Sequence, residues 1–198
     1  MKKKILLIGA GGHAHSCIDV IESEDKFKII GLIDNSKKIG TKVLNYRVIG
    51  NDKDLKKFRK LSDYVFISVG QIKDPSIREK LYFKAKKNGF KIANIFSPKS
   101  IISKHAKIAE GTIIHHGAII NSGSEIGHNC IINTNALIEH NCKIGESCHI
   151  STSVIINGDV VIGKKTFIGS GSIIKNSVRV GKNLIIPMGS KVFKDIKK

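Results

Sequence analysis

From residue 101 onward the chain divides into sixes without an insertion or a deletion: IISKHA, KIAEGT, IIHHGA, IINSGS, EIGHNC, IINTNA, LIEHNC, KIGESC, HISTSV, IINGDV, VIGKKT, FIGSGS, IIKNSV, RVGKNL, IIPMGS, KVFKDI. Every one of these sixteen units has Ile or Val at its second place, and the sixth place is mostly Ala, Ser, Thr, Cys or Val. Side chains on a strand repeat their environment every 2.0 residues and on a helix every 3.6, so neither element produces a period of six. A chain that turns a corner every six residues does. Three such sides close a coil of 18 residues, and residues 18 apart then stack. The aliphatic second places line an internal column, with the small sixth places at the corners. Such an array is quasi-one-dimensional and needs its ends covered.

This reading also accounts for three of the four cysteines. Cys130, Cys142 and Cys148 fall at sixth places, where a small hydrophobe is wanted. Four cysteines in 198 residues do not suggest a disulfide framework. The repeat assigns residues 98–198 to a β-helix domain and leaves residues 1–97 as a small α/β domain able to cap one end.

The first domain alternates strand and helix signals. KKILLIGA is a buried-strand pattern, GAGGHA a glycine turn, and His13 to Glu24 carries Ala14, Cys17, Ile18 and Ile21 at helical spacing. KIIGLID is a second strand ending at Asp34, followed by a weak helix over Lys53–Lys60 and the apolar strand YVFISVG. Asp74 and Pro75 open a helix that runs to Asn88 and stops at Gly89, and KIANIF is a further strand. The order predicts a parallel, Rossmann-like sheet with helices on its faces. Gly9, Gly11 and Ala14 fit G-x-G-x-x-G/A after a strand, and Asp34 is placed to meet a ribose hydroxyl. Fewer than a hundred residues precede the repeats, too few for two mononucleotide-binding halves. One half suits a single nucleotide, which argues against nicotinamide-dependent hydride transfer. The alternative is that the glycines only close a turn.

A hydrophobic fraction of 41% and a charged fraction of 25% are ordinary for a globular protein. The net charge of +18 comes mostly from scattered Lys, without a helix-turn-helix, RNP-type or zinc-finger pattern, so no nucleic-acid partner is expected. A positive field equally favours polyanionic small molecules. The opening MKKKILLIGAGG has no cleavage site, and no apolar stretch is long enough to span a bilayer, so a cytoplasmic protein without a membrane partner is expected.

The repeats resemble those of the left-handed β-helix acyltransferases. GAGGHA after the first strand, then LIDN, IREKLYFKAKKNGFKIANIFSPKSIIS and above all INTNALIEHNCKIGESCHIS resemble the bacterial sugar O- and N-acetyltransferases of the PglD/NeuD type. The resemblance covers essentially the whole chain. It implies acetyl transfer from acetyl-CoA to a nucleotide-linked amino sugar or a sialic-acid-type sugar. It also implies a homotrimer with the acyl donor lying between neighbouring coils. By resemblance His140 is the catalytic base, and Asn133 lies near the acceptor. Gly11, Gly12, His13, Asp34 and Asn35 form the nucleotide-sugar pocket, and His149, Gly158, Ser170 and Lys191 contact the donor. The chain departs from the family pattern at Asn141, where an acidic residue often follows the base. It departs again at PMGSKVF, a reduced form of the closing loop.

The residues can also be weighed on their own. Histidine, with an ordinary pKa near ~6.5, can accept the proton that acetyl transfer to an amine releases. Ser122 and Gly158 stack 18 residues to either side of His140, and such small neighbours imply open space beside the ring. A solvated surface histidine is the plain alternative. His149 stacks between Ile131 and Phe167, where a packed corner histidine is equally natural. His116, His128 and His140 are twelve apart, two sides of the coil rather than a full turn, so no metal site is expected. His128 between Glu110 and Glu146 reads as a surface charge pairing. An acetyl-cysteine route is disfavoured by inward-facing thiols. Three rivals stay open at this level: O-acetylation of a sugar hydroxyl, a non-enzymatic trimeric scaffold that binds sugar nucleotides, and a nicotinamide enzyme.

Overall fold

The computed structural model describes residues 2–197. The chain forms two compact units: one runs to Gly70 and resumes over Ser76–Ile95, and the other joins Gln71–Pro75 to the chain from Phe96 onward.

The first unit contains β1 (Lys3–Ile8), α1 (Gly12–Glu24), β2 (Phe27–Ile33), β3 (Lys42–Val43), β4 (Tyr46–Gly50), α2 (Leu55–Phe58), β5 (Tyr64–Ile67), α3 (Ser76–Lys87) and β6 (Lys91–Ile92). The sheet order is β3-β4-β2-β1-β5-β6, parallel apart from the β3–β4 hairpin. Ile5, Leu6, Leu7 and Ile8 are all buried, as are Val65, Phe66 and Ile67. Continuous burial without alternation is what a parallel strand covered on both faces requires. Arg78, fully buried at the start of α3, lies against the Phe66 ring and donates to the carbonyls of Ile67 and Val69.

Two elements differ from the sequence reading. The β3–β4 hairpin was not anticipated, because β3 is two residues long and its turn uses Leu44, at φ 50°, instead of a glycine. KIANIF is broken into β6 and a separate strand, Ile95–Phe96.

In the second unit each hexapeptide supplies a two-residue strand at its first and second places and then a corner. Strands pair in parallel with the strand 18 residues on, as in Ile113↔Ile131, Ile119↔Leu137 and Glu125↔Lys143. The three resulting sheets are the faces of a left-handed parallel β-helix. N–H groups at first and third places donate to carbonyls of the next coil, for example Ile113 to Cys130 at 3.0 Å and His115 to Ile132 at 2.9 Å. Second-place residues from Ile114 to Val192 form one continuous buried cluster with the sixth-place Ala, Cys and Val. Each buried Ile contributes roughly 1.5–3 kcal/mol of apolar burial. The corners impose a further rule. From Gly111 to Gly189 every fifth-place residue has positive φ, including Asn129 (60°), Asn141 (57°), Ser147 (53°) and Asp159 (62°). This explains the Asn, Gly and Ser at that place, since they adopt the left-handed region most readily.

Among the described residues no helix is long and apolar enough to cross a membrane. All four cysteines are free and buried. Burial pushes the Cys17 thiol up to about 12 and holds Cys142 and Cys148 above the ordinary thiol range. None of these three thiols is set up as a nucleophile.

Candidate active site

In the first unit the glycine turn between β1 and α1 is built by its neighbours. Gly9 has φ 115°, and a Cβ there would come 2.5 Å from Val69 Cγ2 and 3.0 Å from the Val69 nitrogen, so only glycine fits. Its N–H donates to the Ile33 carbonyl at 2.8 Å, and the Ala10 N–H donates to Asp34 Oδ2 at 2.7 Å. Gly11 and Gly12 differ from Gly9. Both are exposed, Gly11 precedes the first residue of α1, and a Cβ on either would meet nothing within 4 Å. Nothing in the unit itself demands glycine at these two places, whereas a group docking on the helix N-terminus would. His13 follows on α1, half-buried, with Gly70 so close that a Cβ there would lie 3.2 Å from His13 Cβ.

Asp34 and Asn35 are engaged within the unit. Asp34 Oδ1 accepts from Ser36 N–H (2.8 Å), Ser36 Oγ (2.7 Å) and Lys37 N–H (2.9 Å), while Oδ2 holds Ala10. Burial raises its carboxyl pKa, but these hydrogen bonds outweigh burial and leave it below the ordinary carboxylate value. Asn35 Oδ1 accepts from the Asp52 N–H at 3.0 Å. The structure therefore gives both residues a loop-shaping task that the ribose reading did not foresee.

In the second unit the predicted residues fall into two groups. His140 is exposed at a corner, and its ring lies directly over Gly158 in the next coil. A Cβ on Gly158 would come 2.5 Å from His140 Cε1 and 2.6 Å from Nε2. The open space expected beside the ring is thus filled by the ring itself, and the missing Gly158 side chain is what admits it. The Gly158 carbonyl accepts from the Ser177 N–H at 2.9 Å, while its own N–H takes no part in the backbone ladder among the described residues. Asn141 Nδ2 lies 3.3 Å from His140 Nδ1 and donates to Asp159 Oδ1 at 3.2 Å. Sequence reading missed Asp159, although the 18-residue register places it beside Asn141.

The second group centres on a buried histidine. His149 is 7% exposed and stacks edge-on against Phe167 at 5.1 Å. Its Nδ1 lies 2.6 Å from the Gln71 carbonyl, which can only accept, so Nδ1 carries the hydrogen and Nε2 is left to accept from Asn133 Nδ2 at 3.3 Å. Asn133 Oδ1 accepts from the Thr134 N–H at 2.8 Å, which fixes the amide's orientation. Gln71 Nε2 in turn donates to the Ser147 carbonyl, so the Gln71–Pro75 segment is tied to the coil. Gln71 is a second residue that sequence reading missed, since it precedes the repeats and no spacing points to it. Ser170 Oγ meets Ser151 Oγ at 2.9 Å, and Lys191 is exposed on the last strand of the coil.

A groove of about 670 Å³ runs along the face that carries Lys107, Glu125, Lys143 and Val161 and includes none of the predicted site residues. That face is laced by exposed ion pairs, Lys107–Glu125 at 3.0 Å and Lys164–Glu146 at 3.3 Å, which solvent largely screens. Among the described residues no cluster of His, Cys, Asp or Glu is placed to hold a metal.

Fold and repeat place the chain among the hexapeptide-repeat acyltransferases: residues 159–194 match the hexapeptide repeat of succinyl-transferase, and residues 4–85 match the PglD N-terminal domain. Within that class it is a sugar acetyltransferase with a PglD-type N-terminal domain. Perosamine N-acetyltransferase (PerB) from Caulobacter crescentus, solved with CoA and GDP-perosamine, is 29% identical with a TM-score of 0.92 over 98% of this chain and 91% of that one. A histidine-to-asparagine mutant of the same enzyme aligns with a TM-score of 0.91 at 29% identity, over 98% of this chain and 90% of that one. The acetyltransferase domain of PglB from Neisseria gonorrhoeae, in complex with acetyl coenzyme A, is 25% identical with a TM-score of 0.89 over 100% and 94%. No curated protein sequence matches the chain.

Proposed function

We propose that this protein transfers the acetyl group of acetyl-CoA to the amine of a nucleotide-linked amino sugar, with His140 as general base. Amino-sugar acetylation and the acetyl-CoA donor follow from the relatives; the base, the pocket and the assembly are our reading. One observation carries the mechanism: an exposed imidazole seated on Gly158, whose N–H takes no part in the backbone ladder among the described residues. The amine nitrogen attacks the thioester carbonyl carbon, a C–N bond forms, and the C–S bond breaks. His140 takes the proton that the amine loses and can return it to the departing thiolate, so the transfer is balanced. The Gly158 N–H is offered to the carbonyl oxygen as negative charge builds there.

Gly11, Gly12 and the N-terminus of α1, with His13, would receive the diphosphate side of the sugar nucleotide. Asp34 and Asn35 hold the loop that shapes this pocket. Asn133, pinned by His149, faces the acceptor, while Ser170 and Lys191 serve the donor. The protein works in the cytoplasm as a homotrimer, in which a neighbouring coil completes the donor site.

The test is thiol release from acetyl-CoA with a panel of GDP-, UDP-, dTDP- and CMP-linked sugars, with mass spectrometry to locate the acetyl group. An amide product is expected, and His140→Ala should lower kcat by about 10²–10⁴-fold without weakening acetyl-CoA binding. Wild-type turnover in that variant would remove His140 from the mechanism, and an ester product would replace the amine acceptor with a hydroxyl.

A further inference from the structure

We propose that Asn133 donates a hydrogen bond to the thioester carbonyl oxygen of acetyl-CoA, and that His149 is the positioning residue that commits the amide to this task. The inference deepens the acetyl-transfer reading and rests on it. An oxygen that gathers negative charge is stabilised by hydrogens offered from fixed directions. Resemblance places His149 at the donor, yet its ring has no hydrogen to give there.

The reason lies in a residue ahead of the repeats. His149 Nδ1 is 2.6 Å from the Gln71 carbonyl, which only accepts, so the hydrogen of the neutral ring sits on Nδ1. The Gln71 side chain donates to the Ser147 carbonyl, two residues before His149, and so holds its own carbonyl in place. Nε2 is then a bare acceptor, 3.3 Å from Asn133 Nδ2. Asn133 Oδ1 already accepts the Thr134 N–H at 2.8 Å, so the amide does not turn its oxygen to the ring. A second hydrogen on the ring would set two donors against each other. Asn133 Nδ2 carries two hydrogens, and His149 takes one. The other is left for a ligand, on a half-buried side chain, whereas the ring itself is 7% exposed and packed edge-on against Phe167. Asn133 opens the corner that leads into the face of Leu137 and Ile155, and Gly158 lies at the corner that leaves it. The Asn133 and Gly158 donors therefore converge on one oxygen between neighbouring coils of the trimer.

Steady-state kinetics on the full chain test this, with acetyl-CoA and the panel sugar nucleotide that wild type acetylates fastest. Asn133→Ala should lower kcat about a hundredfold with KM for acetyl-CoA within about twofold, the signature of a lost oxyanion donor. His149→Phe keeps a ring against Phe167 and should lower kcat about tenfold. The double variant should be no slower than Asn133→Ala, because His149 acts only through the amide. Losses that multiply in the double variant overturn the proposal, since His149 would then serve the donor by itself. Wild-type kcat in Asn133→Ala overturns it too. Nitrogen-15 NMR of the histidine-labelled chain, with His149 assigned through its contact with the Phe167 ring, gives a readout free of turnover. The expected form between about pH 7 and 8 is Nδ1–H with a bare Nε2. A hydrogen on Nε2 overturns the proposal whatever the kinetics show. A wild-type chain that acetylates no sugar in the panel breaks the acetyl-transfer reading itself, whereas normal turnover beside an unaffected Asn133→Ala breaks only this inference.

Discussion

The glycine turn of the first unit is held by groups that come from other loops. Val69 presses on Gly9, and Asp34 reaches across from the end of β2 to the Ala10 N–H. The His140 corner is held by its own register, with Gly158 under the ring, Asp159 beside Asn141, and Gly123 under the Asn141 amide, each 18 residues from what it touches. A sheet positions its site through a few long-range contacts that sequence spacing does not announce. A coil positions its site through one spacing repeated. Damage should therefore travel differently in the two regions, through loop geometry in one and along a column in the other.

The largest expected effect is at Gly158. Its φ is ordinary, so alanine is compatible with the backbone, but the new Cβ would occupy the place of the His140 ring. Gly158→Ala should lower kcat by about a hundredfold or more while leaving thermal unfolding nearly unchanged, because the displaced ring is exposed. A large drop in melting temperature instead would show that the corner, and not the ring, needed the glycine.

The two glycine types of the first unit give the next contrast. Gly9→Ala combines a disallowed φ with a backbone clash and should cost about 1–3 kcal/mol of stability, read by urea unfolding. Gly11→Ala should leave stability within about 0.5 kcal/mol and weaken only the sugar nucleotide, seen as a rise in its KM with that for acetyl-CoA unmoved. Equal destabilisation by both would erase the distinction between a glycine kept for packing and one kept open for a ligand.

The smallest effect concerns Asp34. Its folded-state pKa lies below the ordinary value of 3.8, so its contribution to stability is present above that value and is lost as pH falls through the folded-state pKa. Asp34→Asn should be less stable than wild type at pH 7, and the gap should close as the pH is lowered below about 3.9. A gap that persists undiminished in acid would mean that Asp34 acts by shape alone.

The coil was legible almost residue by residue. Its second and sixth places, the 18-residue stacking, the inward cysteines and the Ile131–His149–Phe167 column all follow from one period. The corner rule at the fifth place was equally present in the Asn, Ser and Gly spacing, but it becomes visible only once φ is known. The parallel strands of the first unit were legible for a similar reason, since burial on both faces leaves unbroken apolar runs. The β3–β4 hairpin was not, because two residues are too few to show a pattern and Leu44 is no turn signal.

Sequence by itself therefore determined the repeat architecture and the glycine turn, because each depends on residue type at a fixed spacing along the chain, while His140 became a candidate through resemblance. Tertiary structure alone decided what those residues touch. It turned Asp34 and Asn35 inward to their own loop, drew Gln71 onto His149, and brought Asp159 to the Asn141 amide. These outcomes depend on which hydrogen-bond partner a polar side chain meets after the backbone has closed. That choice is made over distances of about 3 Å, in directions that residue order does not encode.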